Sequence, residues 1–337
     1  MAHSNLILAG DIGGTKTHLA LFSLQGEKLQ SEVKKTFPSK QYPGLEPVVE
    51  EFLTDQQVSI GGACFGVAGP VVDGQVQTPN LPWIVDAAKI AQRFKLGSVT
   101  LLNDLEAGAY GIFTLRESEL FTLNPGVGGQ RGNKVLISAG TGLGEATLYD
   151  EGGNYQPSAS EGGHADFAPT DETQIDLLRH FIKKFGHVSY ERVVSGPGIA
   201  NTYGFLRDSG RFEEPGWLKE KISAAEDPSA VISHEALSGN SAICVQALEL
   251  FASVYGAEAG NLALRGKATG GVYIGGGIAP KILAKLKDGS FMRAFLNKGR
   301  YRQFLAAMTV QVILNDQAAL QGAAHYVALR NDDLRRG

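Results

Sequence analysis

Seven clusters of glycine, at 10–14, 61–69, 126–132, 140–144, 152–163, 196–198 and 270–277, punctuate the chain, and several follow directly on short apolar, β-branched runs. Glycine at a strand end either makes a tight turn or lets backbone amides come close to a ligand. The chain carries 43 glycines in 337 residues, roughly twice the usual ~7%. Turns alone do not need so many. The clusters are not spaced as a linker or a repeat would space them. They separate strands from helices, and such alternation favours an α/β sheet.

LILAG at 6–10 reads as a buried strand, DIGGTKT as a turn and Leu19–Phe22 as a return strand. Leu45, Val48, Val49, Phe52 and Leu53 have helical spacing within 45–58, and GACFGVA at 62–68 reads as a strand. A helix is expected over 84–95, a strand over 98–102 and a helix over 105–113. Residues 117–133, with Pro125 and several glycines, read as a loop, so a domain change is expected near 114–134. KVLISAGTGLGEATLYD at 134–150 then repeats the opening pattern of apolar run, glycine turn and apolar run. Helices are expected at 172–186 and 196–207, with one long buried helix over 240–264. VYIGGGIAP at 272–280 reads as a strand ending in glycines before a helix near Pro280. A strand at 308–314 and a helix at 316–330 close the pattern. Length alone suits two domains. They are expected as a smaller one of 1–114 plus about 315–331, and a larger one of 115–314.

Thirty-one basic residues against 35 acidic ones give a formal charge of −4, with no run of one sign. That argues against nucleic acid or an anionic membrane as a partner. Cys64 and Cys244 lie far apart and form no CxxC, which excludes a disulfide or zinc scaffold and makes a reducing compartment the expectation. No run of 18 apolar residues occurs, and Met-Ala-His-Ser-Asn lacks the basic start of a signal peptide. A soluble cytoplasmic protein is expected.

Two glycine turns point to chemistry. Gly10-Asp11-Ile12-Gly13-Gly14-Thr15 places successive amides in a turn, which makes a concave anion site. Asp11 repels phosphate but suits Mg²⁺ held through water. GxxxxGK[ST] is absent, so this is no P-loop, and a plain hairpin stays open as the alternative. Gly140-Thr141-Gly142 is the same device again. One such turn per domain, facing across a cleft, would clasp phosphates. Gly276 and Gly277, in GGG at 275–277, give a third platform where backbone approaches a ring or ribose, against an ordinary strand-to-helix turn.

Asn103 and Asp104 follow an apolar strand, at the end where α/β sites are built. Helix capping is the ordinary reading of such a pair. The functional one is a carboxylate that accepts a hydroxyl proton, with Asn103 fixing orientation. SEGGHADFAP brings Glu161, His164 and Asp166 onto one glycine loop, which suits the hydroxyls of a sugar better than a metal. Glu191 reads first as a surface ion pair with Arg192 or a neighbour. In TPNLPW, Trp83 reads as packing, and Asn80 is a candidate to reach the cleft.

GDIGGTK, GVAGPV (66–71), LLNDLEAGAYG (101–111), AGTGLGEA (139–146), EGGHADFAP (161–169), ERVVSGPGI (191–199) and GGVYIGGGIAPKI (270–282) together resemble the bacterial glucokinase family, in order and through nearly the whole chain. The resemblance implies the two-domain actin-like ATPase (ribonuclease H-like) α/β fold, with a cleft between a smaller and a larger domain. It implies ATP-dependent phosphorylation of D-glucose at its 6-hydroxyl, the first step of glycolysis, by a cytoplasmic homodimer. Residues 10–15 match the family's first ATP phosphate loop, Gly140–Gly142 its second, and Gly276 and Gly277 its adenosine segment. Asn103 matches a sugar-binding Asn and Asp104 the catalytic Asp, while Glu161, His164 and Glu191 match further glucose contacts. Lys16 departs from the Asn of many relatives. The cysteine-rich zinc motif of the related ROK sugar kinases is missing, so the non-ROK group fits better.

The expectation is therefore phosphoryl transfer from Mg²⁺·ATP, with Asp104 as general base and stabilisation largely electrostatic. Domain closure, hinged near 112–116 and 312–316, is expected to keep water from taking the phosphoryl group. A kinase for another hexose or an amino sugar stays open, as does the choice of ATP over polyphosphate. A sugar-sensing regulator is weakened by the Asp104 carboxylate, and an actin-like filament protein would need no sugar loop.

Overall fold

The computed structural model describes residues 6–330 apart from 27 and 57. The chain divides into two compact units, residues 1–117 with 315–337, and residues 118–314.

The first unit is built on a five-stranded sheet of β1 (Leu6–Ile12), β2 (Lys16–Gln25), β3 (Lys28–Pro38), β4 (Ile60–Val67) and β7 (Val99–Asn103), in the order β3-β2-β1-β4-β7. Two short strands, β5 (Gln75–Gln77) and β6 (Ile84–Asp86), pair separately. The helices are α1 (Leu45–Leu53), α2 (Ala87–Phe94), α3 (Asp104–Gly111) and the last helix of the chain, α12 (Ala318–Arg330). Alternation along β1 sorts its side chains between the two faces of the sheet. Leu8 and Ile12 pack with α1, Phe65, Trp83 and Ile90, whereas Ile7 and Ala9 pack with Cys64, Ala107, Tyr110 and α12. A sheet covered on both faces needs such nearly continuous apolar strands. The helix expected over 84–95 begins at Ala87 instead. Asp86 ends β6, and its carboxylate accepts from the Lys89 N–H as the N-cap.

β1, β4 and β7 run parallel, and their register aligns Ile12 with Val67 and Val67 with Asn103. Three carboxyl strand ends therefore finish in one row. In open α/β sheets that edge is where ligands bind.

The second unit carries a six-stranded sheet of β8 (Leu120–Asn124), β9 (Lys134–Ala139), β10 (Leu143–Glu151), β11 (Asn154–Ser160), β12 (Gly271–Gly275) and β13 (Val310–Ile313), ordered β11-β10-β9-β12-β13-β8. Its helices are α4 (Glu172–Phe185), α5 (Gly196–Asp208), α6 (Gly216–Ser223), α7 (Pro228–Leu237), α8 (Ala242–Gly266), α9 (Leu283–Leu286), α10 (Ser290–Leu296) and α11 (Arg302–Ala306). By length and composition α8 is apolar enough to cross a bilayer. Its position explains that composition: Ala247, Phe251, Val254, Tyr255 and Ala259 sit without exposure in the core of this unit. Two expectations change here. The loop read over 117–133 contains β8, an edge strand on β13. The helix expected near Pro280 starts at Leu283 and is the single turn of α9.

Candidate active site

In the first unit β1 and β2 form an antiparallel hairpin, with Ile12 opposite Thr17, and the turn between them is Gly13-Gly14-Thr15. The Gly13 N–H donates to the Lys16 carbonyl at 2.9 Å. Ser39 braces the same turn: its hydroxyl donates to the Gly13 carbonyl at 2.8 Å, and its N–H donates to the Thr15 carbonyl at 3.0 Å. Among the described residues the amides of Gly14 and Thr15 meet no acceptor, which leaves two donors on a fixed turn for an anion. Gly10 and Ile12 are interior strand residues, with Gly10 pressed against Phe65, and they support the turn from within. The Lys16 side chain is exposed. Asn80 is exposed and lies against Gly14, while Trp83 is core and donates from Nε1 to the Tyr42 carbonyl at 2.9 Å.

Asn103 and Asp104 stand where β7 becomes α3. Asn103 caps that helix. Its Oδ1 accepts from the Leu105 N–H at 2.9 Å, and Glu106 returns a carboxylate to the Asn103 N–H at 3.3 Å. The Asn103 Nδ2 also donates to the Gly69 carbonyl at 3.1 Å, which ties the helix start to the loop after β4. Capping and ligand binding do not exclude each other, because one amide proton of Asn103 remains. Asp104 opens the helix, with Oδ1 accepting from the Leu105 N–H at 3.0 Å. Its charge reaches Asp11. Burial first, and the Asp104 charge second, push the Asp11 carboxyl up to about 6.

That pair decides whether Mg²⁺ fits. No three His, Cys, Asp or Glu side chains gather as a cage among the described residues. Mg²⁺ on a nucleotide needs no cage, since substrate phosphates and water supply most of its ligands and the protein adds one or two carboxylates. Asp11, raised by desolvation and by a second carboxylate, is a group a cation would relieve. The donor set fits.

In the second unit β9 and β10 repeat the hairpin around Gly140-Thr141-Gly142. The Gly140 N–H donates to the Gly142 carbonyl at 2.8 Å, and the Gly140 carbonyl accepts from the Gly196 N–H at the start of α5, also at 2.8 Å. Among the described residues the amides of Thr141 and Gly142 meet no acceptor. Glu191 closes the turn from below, its Oε2 accepting from the Leu143 N–H at 2.9 Å. Among the described residues Glu191 forms no ion pair, and Arg192 lies over the Phe185 ring instead, 4.4 Å from its centroid. The loop that holds Glu161 and His164 reaches the same place. Gly163 packs on the Leu143 carbonyl so closely that a Cβ there would overlap it. Glu161 and His164 are exposed, with His164 Nε2 4.0 Å from Glu161 Oε2. Asp166 faces away to His187, 2.9 Å from its Nε2.

Gly276 has a φ of +82° and abuts the Ala139 carbonyl, which puts the 276–277 segment beside the start of the second turn. Tyr255, which sequence reasoning missed, fixes that spacing. Its hydroxyl accepts from the Ala139 N–H at 3.3 Å and lies 3.2 and 3.3 Å from the carbonyls of Ile137 and Gly275. A fully buried tyrosine on a core helix looks like packing alone. Only its three-dimensional position shows that it holds two strand ends together.

Comparison with known proteins bears on these half-sites. A family model described as Glucokinase matches residues 8–330. The glucokinase of Nostoc sp. is 42% identical over 334 residues, a stretch that covers 95% of this chain and 98% of that protein. Among solved structures, a glucokinase from an Antarctic psychrotroph matches with a TM-score of 0.84 at 31% identity, over 96% of this chain and 99% of that one. A ROK family glucokinase from Streptomyces griseus, solved with glucose and AMPPNP, shares the fold at 22% identity, with a TM-score of 0.65 over 98% and 100% of the two chains.

Proposed function

The chain belongs to the glucokinase family, and from that premise we propose that it moves the γ-phosphoryl group of ATP onto the 6-hydroxyl of D-glucose, with Asp104 as general base. One observation carries the assignment of the base. Asp104 ends a row of parallel strand ends, on the first turn of α3, and its charge is felt by Asp11 beside the first glycine turn. A carboxylate at that edge can take the hydroxyl proton as the oxygen attacks phosphorus in line. Asn103 orients the sugar with the hydrogen-bonding capacity its cap leaves over. Glu161, His164 and Glu191 meet further glucose hydroxyls.

The amides of Gly14 and Thr15, and those of Thr141 and Gly142, donate to phosphate oxygens. Preset donors of that kind stabilise charge that develops during transfer. Gly276 and Gly277 let the adenosine lie close to backbone. Asp11 would hold Mg²⁺, which when bound neutralises phosphate charge. The reading further includes a first step of glycolysis carried out in the cytoplasm by a homodimer. Two free, buried cysteines accord with a reducing compartment, and sedimentation tests the dimer.

The experiment is a matrix of phosphoryl donors against hexoses and amino sugars, with and without Mg²⁺. Glucose with Mg²⁺·ATP is expected to give the highest kcat/KM. A better amino sugar or a different hexose overturns the substrate. Asp104→Asn is expected to lower kcat by about 10²–10⁴-fold with glucose still bound, and an unchanged kcat overturns the base.

A further inference from the structure

Behind the sugar loop lies a cluster that the transfer chemistry does not use. Glu145 on β10 and Glu258 on α8 are both buried, at 1% and 0% exposure. Among the described residues one cation pairs with both, the Arg265 guanidinium, at Glu145 Oε2 (3.2 Å) and at Glu258 Oε1. The Glu145 Oε1 atom is buried without a conventional donor. The Glu145 and Glu258 carboxyl groups lie within reach of a side-chain hydrogen bond to each other. Two ionised carboxylates buried side by side leave one charge uncompensated by the one half-exposed guanidinium they share. A proton between them resolves both problems at once. It supplies the missing hydrogen bond and leaves one negative charge for one Arg.

The cluster touches the site on two sides. Gly162 rests directly on Glu145, where a Cβ would overlap Oε2. The Gly162 N–H donates to Ser160 Oγ, which in turn donates to the Glu145 carbonyl at 3.4 Å. On the other side the Asn261 Nδ2 donates to Glu258 Oε2 at 2.9 Å and to the Tyr190 hydroxyl at 3.0 Å. Tyr190 immediately precedes Glu191.

We propose that Glu145 and Glu258 share one proton, and that this neutralised pair is a positioning element that holds the Glu161–His164 loop and Glu191 in their sugar-binding arrangement. The inference rests on the sugar role proposed above for those residues. Burial, with the Glu258 charge second, pushes the Glu145 carboxyl up to about 8, so the proton stays at neutral pH and leaves under alkaline conditions. Arg265 opposes that shift. The other titratable groups that face the pair are Tyr190, Tyr255 and Lys298: burial pushes both tyrosines up, and it pulls Lys298 down against the opposing Glu258 charge. β9 and β11 place only Ile137 and Ser160 opposite Glu145. Loss of the proton puts a second negative charge under Gly162, and the loop above it loosens.

The test is the pH dependence of the glucose KM, the ATP KM and kcat for wild type and Glu145→Gln, between about pH 6 and about pH 9.5. Glutamine copies the protonated acid. In wild type the glucose KM is expected to rise above the transition, approaching about tenfold per pH unit, the limit for one required proton. The ATP KM follows only through the tie of Glu191 to the second glycine turn, kcat stays level, and Glu145→Gln holds a flat glucose KM throughout. A flat wild-type profile, or the same rise in the variant, overturns the proposal. Hydrogen exchange of 160–164, compared between the two proteins at one pH, needs no substrate. It is expected to match at neutral pH and to be faster in wild type at alkaline pH, and equal exchange at both overturns the proposal too. A protein that shows this exchange difference but does not phosphorylate glucose refutes the proposed substrate and leaves the shared proton standing.

Discussion

Gly142→Ala tests whether Glu191 holds the second glycine turn. Gly142 is not in the left-handed region, so alanine brings no backbone strain of its own. The added Cβ would fall 2.5 Å from Glu191 Oε2. The carboxylate must therefore retreat by about 0.9 Å to reach ordinary contact, which stretches its 2.9 Å bond from the Leu143 N–H to about 3.8 Å. At that length the bond is lost. A hydrogen bond to a charged group contributes about 1.5–3 kcal/mol, so kcat/KM for glucose should fall by about 10–150-fold, and Tm by about 3–12 °C for a unit of this size. The decisive comparison is a double-mutant cycle with Glu191→Ala, read by calorimetry and by initial rates. Removing the carboxylate makes room for the methyl, so Gly142→Ala in the Glu191→Ala background should cost less than about 0.5 kcal/mol. If the second alanine costs as much there as in wild type, the anchoring role of Glu191 is refuted.

Asp11→Asn should raise stability while it weakens catalysis. The Asp11 carboxyl is about 6 in the folded chain against 3.8 ordinarily, so folding takes up a proton between those values and the ionised form costs up to about 3 kcal/mol above pH ~6. The Tm gain of the variant should therefore develop as pH rises through 4 to 6 and vanish below, as pH-dependent calorimetry will show, together with a raised Mg²⁺ requirement. Asn103→Ala removes a helix cap and should lower stability by about 1 kcal/mol. Asn103→Asp keeps the cap and loses the tie to Gly69, so it should recover most of the Tm and still show a raised glucose KM.

The two glycine hairpins were legible because a glycine turn directly follows an apolar run in each. The strands that escaped notice share one property. β3, β8 and β11, and the separate pair β5 and β6, each lie at a sheet edge, where one side of the strand needs no partner and polar residues are tolerated. KLQSEVKKTFP is mostly exposed, and NYQPSAS carries a proline that an interior strand would exclude. Asn103 could be read as cap or ligand, and the structure shows the cap without removing its capacity for the other role. The carboxylate cluster left no local trace. Glu145, Tyr190, Glu258 and Arg265 are scattered over 120 positions between the outermost contacts, and their proximity exists only once α8 packs on the sheet.

The attachment of Glu191 to the second glycine turn also shapes how such an enzyme can change its diet. On the role proposed for it, Glu191 serves both substrates and is a poor place to evolve, since any replacement that admits a new sugar disturbs the second glycine turn in the same stroke. Glu161 and His164, with side chains 78% and 59% exposed, carry no such obligation. Selection for growth on a different hexose should enrich substitutions at those two positions and leave 191 untouched.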